Sequence, residues 1–131
     1  MSPWRVAAIA ALLTVAAACT SGSARITDPR HPGDAKELLR RVKSHGPVLV
    51  AGRHPYWLIE ASRAPIAMDA HIRGHGACIL RPVRVGIYFS FKDCTGGSYD
   101  SQDLWKYPSR VARDGSMTVD LSKTVQVNPS G

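Results

Sequence analysis

The chain has 131 residues, of which 44% are hydrophobic and 21% are charged, and its formal net charge is +7. Once the terminal segments described below are set aside, this length allows one small domain with a modest core. The sequence contains no internal repeat and no nucleic-acid-binding module, so the positive charge indicates anionic lipid headgroups, an acidic partner or a solvated basic face.

The N-terminus has the layout of an export signal. A short cationic segment ending at Arg5 precedes an unbroken run of apolar or small residues from Val6 to Ala18. This run is too short to span a bilayer comfortably as a mature helix, and it ends in small residues before Cys19. Residues 1–18 are therefore predicted to be a signal peptide.

The residues before Cys19 resemble a bacterial lipobox, in which the cysteine is acylated and becomes the new N-terminus. Acylated Cys19 would bind membrane lipid and anchor the chain to the outer face of the cell membrane. Cleavage after Ala18 without acylation, or an anchor that is never cleaved, are the alternatives. Residues 19–34 are rich in Gly, Ser and Pro and predict a flexible tether, so the folded domain is expected to span residues 35–131.

The segment Asp34–Lys43 predicts a helix of three turns. Asp34 is a suitable N-cap and Glu37 completes a capping box, while His45–Pro47 would end the helix. The apolar stripe expected to face the core consists of Leu38, Leu39 and Val42.

Short strands are predicted throughout the rest of the chain. Val48–Ala51, Tyr56–Ala61 and Pro65–His71 are β-rich, and the alternation of Val83–Phe91 predicts one long half-buried strand. Asp114–Gly115 predicts a hairpin turn. The expected fold is therefore mainly β, a small antiparallel sandwich or barrel with one short N-terminal helix.

Two segments of the chain resemble the cluster-binding loops of Rieske iron–sulfur proteins. That family pairs a Cys-x-His-x-x-Cys stretch with a later Cys-x-Cys-His-Gly-Ser-x-Tyr-Asp stretch. The corresponding segments here are Arg73–Cys78, which reads RGHGAC, and Lys92–Asp100, which reads KDCTGGSYD. The resemblance extends from about Gly46 to Val127 and implies a Rieske-like β domain.

In this register the resemblance implies that Cys78 and Cys94 form the family's disulfide, which an exported protein would also favour. A Rieske cluster needs two thiolates on one iron and two imidazoles on the other. His75 falls on one ligand position, but the other three positions hold Arg73, Lys92 and Thr95. The resemblance therefore implies a degenerate Rieske domain without its [2Fe–2S] cluster.

The tyrosine of the second segment, Tyr99, is retained from the family pattern. In the family its hydroxyl points toward a ligand cysteine, so we expect Tyr99 to pack against or hydrogen-bond near Arg73. The family contacts its redox partner through the tips of these loops, which implies a basic and aromatic contact patch. Its candidates are Arg73, His75, Lys92 and Trp105, although Trp105 could instead pack in the core.

A single zinc or copper ion is an alternative to an empty site. Two imidazoles and two sulfurs would suit either metal, provided that the cysteines stay reduced. The candidate ligands are His71, His75, Cys78 and Cys94.

Enzymatic chemistry is not expected. The sequence has no Gly-x-Ser-x-Gly elbow and no Cys-x-x-Cys pair, and Asp93, Asp100 and Asp103 are interpreted as turn formers beside glycines. The expected function is a cofactor-free, non-catalytic binding or accessory protein that is tethered at the cell envelope and contacts a membrane protein complex. Electron transfer through a [2Fe–2S] cluster, or binding of zinc or copper, remain the alternative functions.

Overall fold

The computed structural model describes residues 25–72, 74 and 76–125. The predicted signal peptide, the predicted acylation site Cys19, and the loop residues Arg73 and His75 lie outside the described residues. Within the described part of the chain, no helix has the length and hydrophobicity needed to cross a membrane.

The predicted helix is confirmed as α1, Ala35–His45. The side chain of Asp34 accepts a hydrogen bond of 3.0 Å from the backbone N–H of Glu37 and so caps the helix. At the other end, the N–H of Gly46 donates to the carbonyl of Val42 with a φ of 88°, a conformation that favours glycine. The buried face of the helix consists of Ala35, Leu38, Leu39 and Val42.

Ten short strands make up most of the remaining regular structure of the described residues. In chain order they are β1 (Gly33–Asp34), β2 (Val48–Val50), β3 (Tyr56–Ile59), β4 (Ile66–Asp69), β5 (Arg81–Val85), β6 (Tyr88–Lys92), β7 (Ser98–Asp100), β8 (Lys106–Tyr107), β9 (Ser109–Val111) and β10 (Ser116–Val119). A short 3₁₀ helix, Ser101–Asp103, follows β7.

The strands form three antiparallel sheets with the orders β2-β3-β4-β8, β1-β10-β9 and β5-β6-β7. The predicted mainly β, antiparallel fold with one helix is thus confirmed. The hairpin turn predicted at Asp114–Gly115 is also confirmed, because β9 and β10 pair with Val111 opposite Met117. The side chain of Asp114 closes this turn by accepting a hydrogen bond of 2.9 Å from the N–H of Ser116.

The four-stranded sheet is central because both of its faces are covered. Alternate residues of β3 point to opposite faces, as the two-residue period of a strand requires. Tyr56 and Leu58 belong to one hydrophobic cluster, which also includes residues of α1 and β10. Ile59, with Trp57 packed beside it, belongs to a second cluster. The other buried members of this second cluster are Met68, Leu80, Phe91 and Leu104.

The prediction of one long strand over Val83–Phe91 is wrong. The chain turns back at Gly86 and Ile87, so that Val85 pairs with Tyr88 across a two-residue hairpin turn. Gly86 has a φ of 64°, which such turns require. The alternating pattern therefore belongs to two strands, and Ile87, expected to be inside, is 81% exposed at the tip of the hairpin.

The segment before α1, which the sequence assigns to the tether, already contacts the domain. Ile26 packs against the first cluster, and the hydroxyl of Tyr56 donates a hydrogen bond of 2.5 Å to the carbonyl of Pro29. The N–H of Val119 donates to the carbonyl of Arg30 at 2.9 Å, and β1 pairs with β10. Folded contacts thus begin near Ile26 rather than at residue 35, because this segment completes the edge of a sheet.

Candidate functional site

A disulfide joins two loops of the domain. The first loop connects β4 to β5 and contains Cys78, and the second connects β6 to β7 and contains Cys94. The sulfur atoms are 2.07 Å apart and the Cα atoms 5.9 Å apart. The N–H of Cys94 also donates a hydrogen bond of 2.9 Å to the sulfur of Cys78. The predicted disulfide is confirmed, and we refer to this pair of segments as the linked loops.

The base of the first loop is fixed to the central sheet. The N–H of Leu80 donates to the carbonyl of Ala70 at 2.8 Å, and His71 forms an isolated β-bridge with Ile79. The carbonyl of Leu80 accepts a hydrogen bond of 2.8 Å from the indole N–H of Trp57 on β3. Because the Leu80 side chain is completely buried, the loop returns to the core immediately after Cys78.

The second loop is organised around the carboxylate of Asp93. Its Oδ1 atom accepts hydrogen bonds from the N–H of Thr95 at 2.8 Å, the hydroxyl of Thr95 at 2.7 Å and the N–H of Gly97 at 2.9 Å. Its Oδ2 atom accepts a hydrogen bond of 2.9 Å from the hydroxyl of Tyr99. A Cβ atom on Gly97 would lie only 2.8 Å from Oδ2, so the loop has room for glycine alone at this position. The interpretation of Asp93 as a turn former agrees with this geometry.

These hydrogen bonds hold Asp93 in its ionised form. The bond from the Thr95 side chain, followed by those from the Thr95 N–H, the Tyr99 hydroxyl and the Gly97 N–H, places the pKa of the carboxyl group well below its usual range, although burial opposes this effect. The hydrogen bond to Asp93 raises the pKa of Tyr99, because the hydroxyl proton is shared with the carboxylate. The pair is therefore a negatively charged acceptor with a neutral donor.

The residues predicted at the cluster positions have different surroundings. Lys92 is half-buried at the end of β6, and the hydroxyl of Thr95 is bonded to Asp93. Tyr99 has Asp93 as a hydrogen-bond partner, and the predicted contact with Arg73 lies outside the described residues. Trp105 is half-buried, and its carbonyl accepts a hydrogen bond of 2.8 Å from the N–H of Asp69.

Of the four candidate metal ligands, His71, Cys78 and Cys94 lie within the described residues and His75 lies outside them. In the described part of the chain, no three or more His, Cys, Asp or Glu residues lie close enough together to hold a metal ion. The sulfur atoms of Cys78 and Cys94 are bonded to each other and so are not thiolates. The alternative zinc or copper site would require reduction of this disulfide.

A buried lysine on β8 is not predicted by the sequence. Lys106, on β8, is only 7% exposed, and its Nζ donates hydrogen bonds to the carbonyl of Ser101 and, at 2.8 Å, to that of Leu104. Burial lowers the pKa of its ammonium group, while the charge of Asp103 opposes that shift. Lys106 thereby satisfies carbonyls around the 3₁₀ helix. A lysine in a short strand is ordinarily exposed, so the sequence carried no signal for this role.

Comparisons of the chain with protein-family models, with curated proteins and with solved structures find no match. Its function must therefore be inferred from its own geometry and chemistry.

Proposed function

We propose that this protein is an exported, lipid-tethered domain of Rieske-like descent that has lost its iron–sulfur cluster and serves as a non-catalytic binding or accessory protein at the cell envelope. Cys19 is its proposed acylation site, and a membrane protein complex is its proposed partner. The observation that carries the proposal is the pair of linked loops, held together by a disulfide, in which three of the four cluster-ligand positions hold residues that do not bind iron, Arg73, Lys92 and Thr95.

The chemistry of those positions supports a cofactor-free site. A Rieske cluster takes two thiolates and two imidazoles. Lys92 would bring a positive charge to a thiolate position, and the hydroxyl of Thr95 already donates to Asp93. The carboxylate of Asp93 is likewise occupied by hydrogen bonds within its own loop. Side chains whose polar atoms already form hydrogen bonds inside the protein have few lone pairs left to coordinate a metal.

The same observations support a contact role for the loops. The disulfide and the Asp93 hydrogen bonds fix the backbone of the second loop before any partner binds, which lowers the entropy lost on association. Cys94, Thr95 and Gly96 are exposed on this loop. Together with Arg73, His75, Lys92 and Trp105, this loop is the surface that we propose for a partner.

Metal analysis of the full-length chain, purified from membranes without chelators or oxygen, tests the loss of the cluster. We expect iron, zinc and copper all well below one ion per chain. Iron at about two atoms per chain would contradict the proposal and would indicate electron transfer. Stoichiometric zinc or copper would instead support the site formed by His71, His75 and reduced cysteines.

A double charge reversal, Arg73→Glu with Lys92→Glu, tests the contact surface. Partner proteins would be recovered from native membranes with the wild-type chain and with the variant, and compared by mass spectrometry. We expect the specific partner to be lost, because rim charges steer and orient association. The matched control is Lys36→Glu with Arg63→Glu, two exposed residues away from the loops, which changes the net charge equally. Unchanged recovery with the loop variant would contradict the contact role.

A further inference from the structure

Six exposed basic residues from four separate parts of the chain line two adjoining clefts. The clefts have volumes of about 630 Å³ and 600 Å³ and share lining residues, so they form one continuous depression. The segment before α1, the turn between β2 and β3, the strand β9 and the segment after β10 all contribute to it. We call this depression the basic cleft and define it by Arg30, His31, Arg53, His54, Arg110 and Lys123.

Positive charge exceeds negative charge in the basic cleft. Its four arginine and lysine side chains outnumber the two carboxylates that also line it, those of Asp28 and Asp120. Asp28 accepts hydrogen bonds of 3.0 Å from the ring of His31 and from the N–H of Arg30. Asp120 accepts from the N–H of Ser122 at 2.9 Å and from its hydroxyl at 2.5 Å. Both carboxylates are therefore engaged in local turns.

The cationic side chains form no close ion pair with other described residues, although the charges of Lys123 and Arg30 contribute to lowering the pKa of Asp120. Among the described residues, Arg30, Arg53, Arg110 and Lys123 form no ion pair within 4.0 Å. All four are exposed rather than enclosed. Four separated and solvated cations suit a surface that carries many phosphates better than they suit one enclosed anion.

The short chain segment between Cys19 and the basic cleft indicates which phosphate-bearing surface the cleft would meet. Docking of this surface rests on the proposed acylation of Cys19. Asp28 lies nine residues after Cys19, so that a lipid at Cys19 lies at most about 30 Å of extended chain from the edge of the cleft. A lipid at Cys19 would therefore keep the edge of the basic cleft within reach of the bilayer.

From these observations we infer that the basic cleft docks the domain onto the phosphate headgroups of anionic phospholipids. Each basic residue near an anionic bilayer strengthens binding about fivefold. The four cations together therefore give the domain a preference for anionic over neutral bilayers, which the tether alone would not provide. A domain held in this way would lie against the membrane in a fixed orientation instead of rotating freely on its tether.

The test uses the full-length acylated chain in vesicles of phosphatidylcholine and in vesicles of an equal mixture of phosphatidylcholine and phosphatidylglycerol. The rate of lysine acetylation at Lys123, measured by mass spectrometry, reports contact with the bilayer. Lys43, which lines a different groove beside α1, is the internal control. We expect acetylation of Lys123 relative to Lys43 to fall at least about fivefold on the anionic vesicles, and to recover in high salt.

The variant Arg30→Glu with Arg110→Glu should abolish this protection, while Lys36→Glu with Arg63→Glu, of equal charge change, should keep it. Equal acetylation on both kinds of vesicle would overturn docking. Protection of Lys123 by inorganic phosphate in detergent to the same extent would also overturn it, because the cleft would then bind a free anion.

Flotation with vesicles separates the docking proposal from the proposed lipid anchor. A chain that fails to float with neutral vesicles lacks the lipid anchor, whereas one that floats without protection of Lys123 has the anchor but no docking.

Discussion

The carboxylate of Asp93 accepts three hydrogen bonds at one oxygen and one at the other. It is 5% exposed, so these bonds replace most of the water that an aspartate ordinarily binds. These four donors belong to Thr95, Gly97 and Tyr99, within six residues of the carboxylate. The conformation of the second loop therefore depends on one ionised side chain.

Acidification should reveal this dependence. The pKa of Asp93 is depressed below its ordinary value of 3.8 in the folded protein, so its contribution to stability is present above that pH and is lost as the pH falls toward the folded pKa. Asp93→Asn should lower the Tm at neutral pH by about 4–8 °C or more and should weaken the acid dependence. Thermal unfolding followed by circular dichroism between neutral pH and about pH 2 measures both effects.

The control for this substitution is Asp100→Asn, which removes an exposed carboxylate at the end of β7. It should leave the acid dependence of the Tm near that of the wild type. If Asp93→Asn lost stability on acidification as steeply as the wild type, Asp93 would not be the group responsible.

At the scale of elements, the linked loops differ from the hairpin β5–β6 in how they are held. The hairpin depends on backbone pairing and one glycine turn, and its tip, with Ile87 and Tyr88, is exposed. The loops have little regular pairing and depend on the disulfide, on the Asp93 hydrogen bonds and on the return of Leu80 to the core. Covalent closure replaces the strand pairing that these loops lack.

Removal of the disulfide measures how much this covalent link stabilises the protein. Cys78→Ala with Cys94→Ala should reduce the free energy of unfolding by about 3 kcal/mol, because the closed loop restricts the unfolded chain. Urea denaturation of the oxidised wild type, the reduced wild type and the double variant provides the measurement. The reduced wild type and the variant should agree. A change below about 1 kcal/mol would show that the linked loops are held by their other contacts.

At the scale of the whole molecule, the segment before α1 connects the core to the proposed membrane-facing surface. Tyr56 is fully buried in the first cluster, and its ring lies 6.1 Å from that of Tyr107 in an edge-to-face arrangement. The hydroxyl of Tyr56 extends to the carbonyl of Pro29, next to Arg30 of the basic cleft. Burial raises the pKa of this hydroxyl, so it remains a donor at neutral pH. One core residue thus positions one side of the basic cleft.

Loss of that hydroxyl should loosen the segment without unfolding the protein. Tyr56→Phe should cost about 1 kcal/mol and should accelerate tryptic cleavage after Arg25 and Arg30. Limited proteolysis followed by mass spectrometry measures the cleavage rates. Tyr88→Phe, at a position that is 73% exposed, is the matched control and should change neither quantity. Cleavage at the wild-type rate in Tyr56→Phe would mean that Ile26 and the pairing of β1 hold the segment by themselves.

The sequence by itself determined the features that depend on neighbouring residues. Asp34 and Gly46 define the two ends of α1, and Asp114–Gly115 defines a hairpin turn, because these caps and turns are formed within a few residues. The disulfide between Cys78 and Cys94 was also predicted, and the structure confirms it.

Only the tertiary structure decided the features that depend on distant partners. The alternation before and after Gly86 fits one strand or two equally well, and pairing across the turn selects two. The burial of Lys106 depends on carbonyls that the fold brings above its strand. The basic cleft joins residues from both ends of the described chain, which become neighbours because β1 pairs with β10. Local hydrogen bonds are encoded by adjacent residues, whereas contacts between distant residues exist only once the sheets have formed.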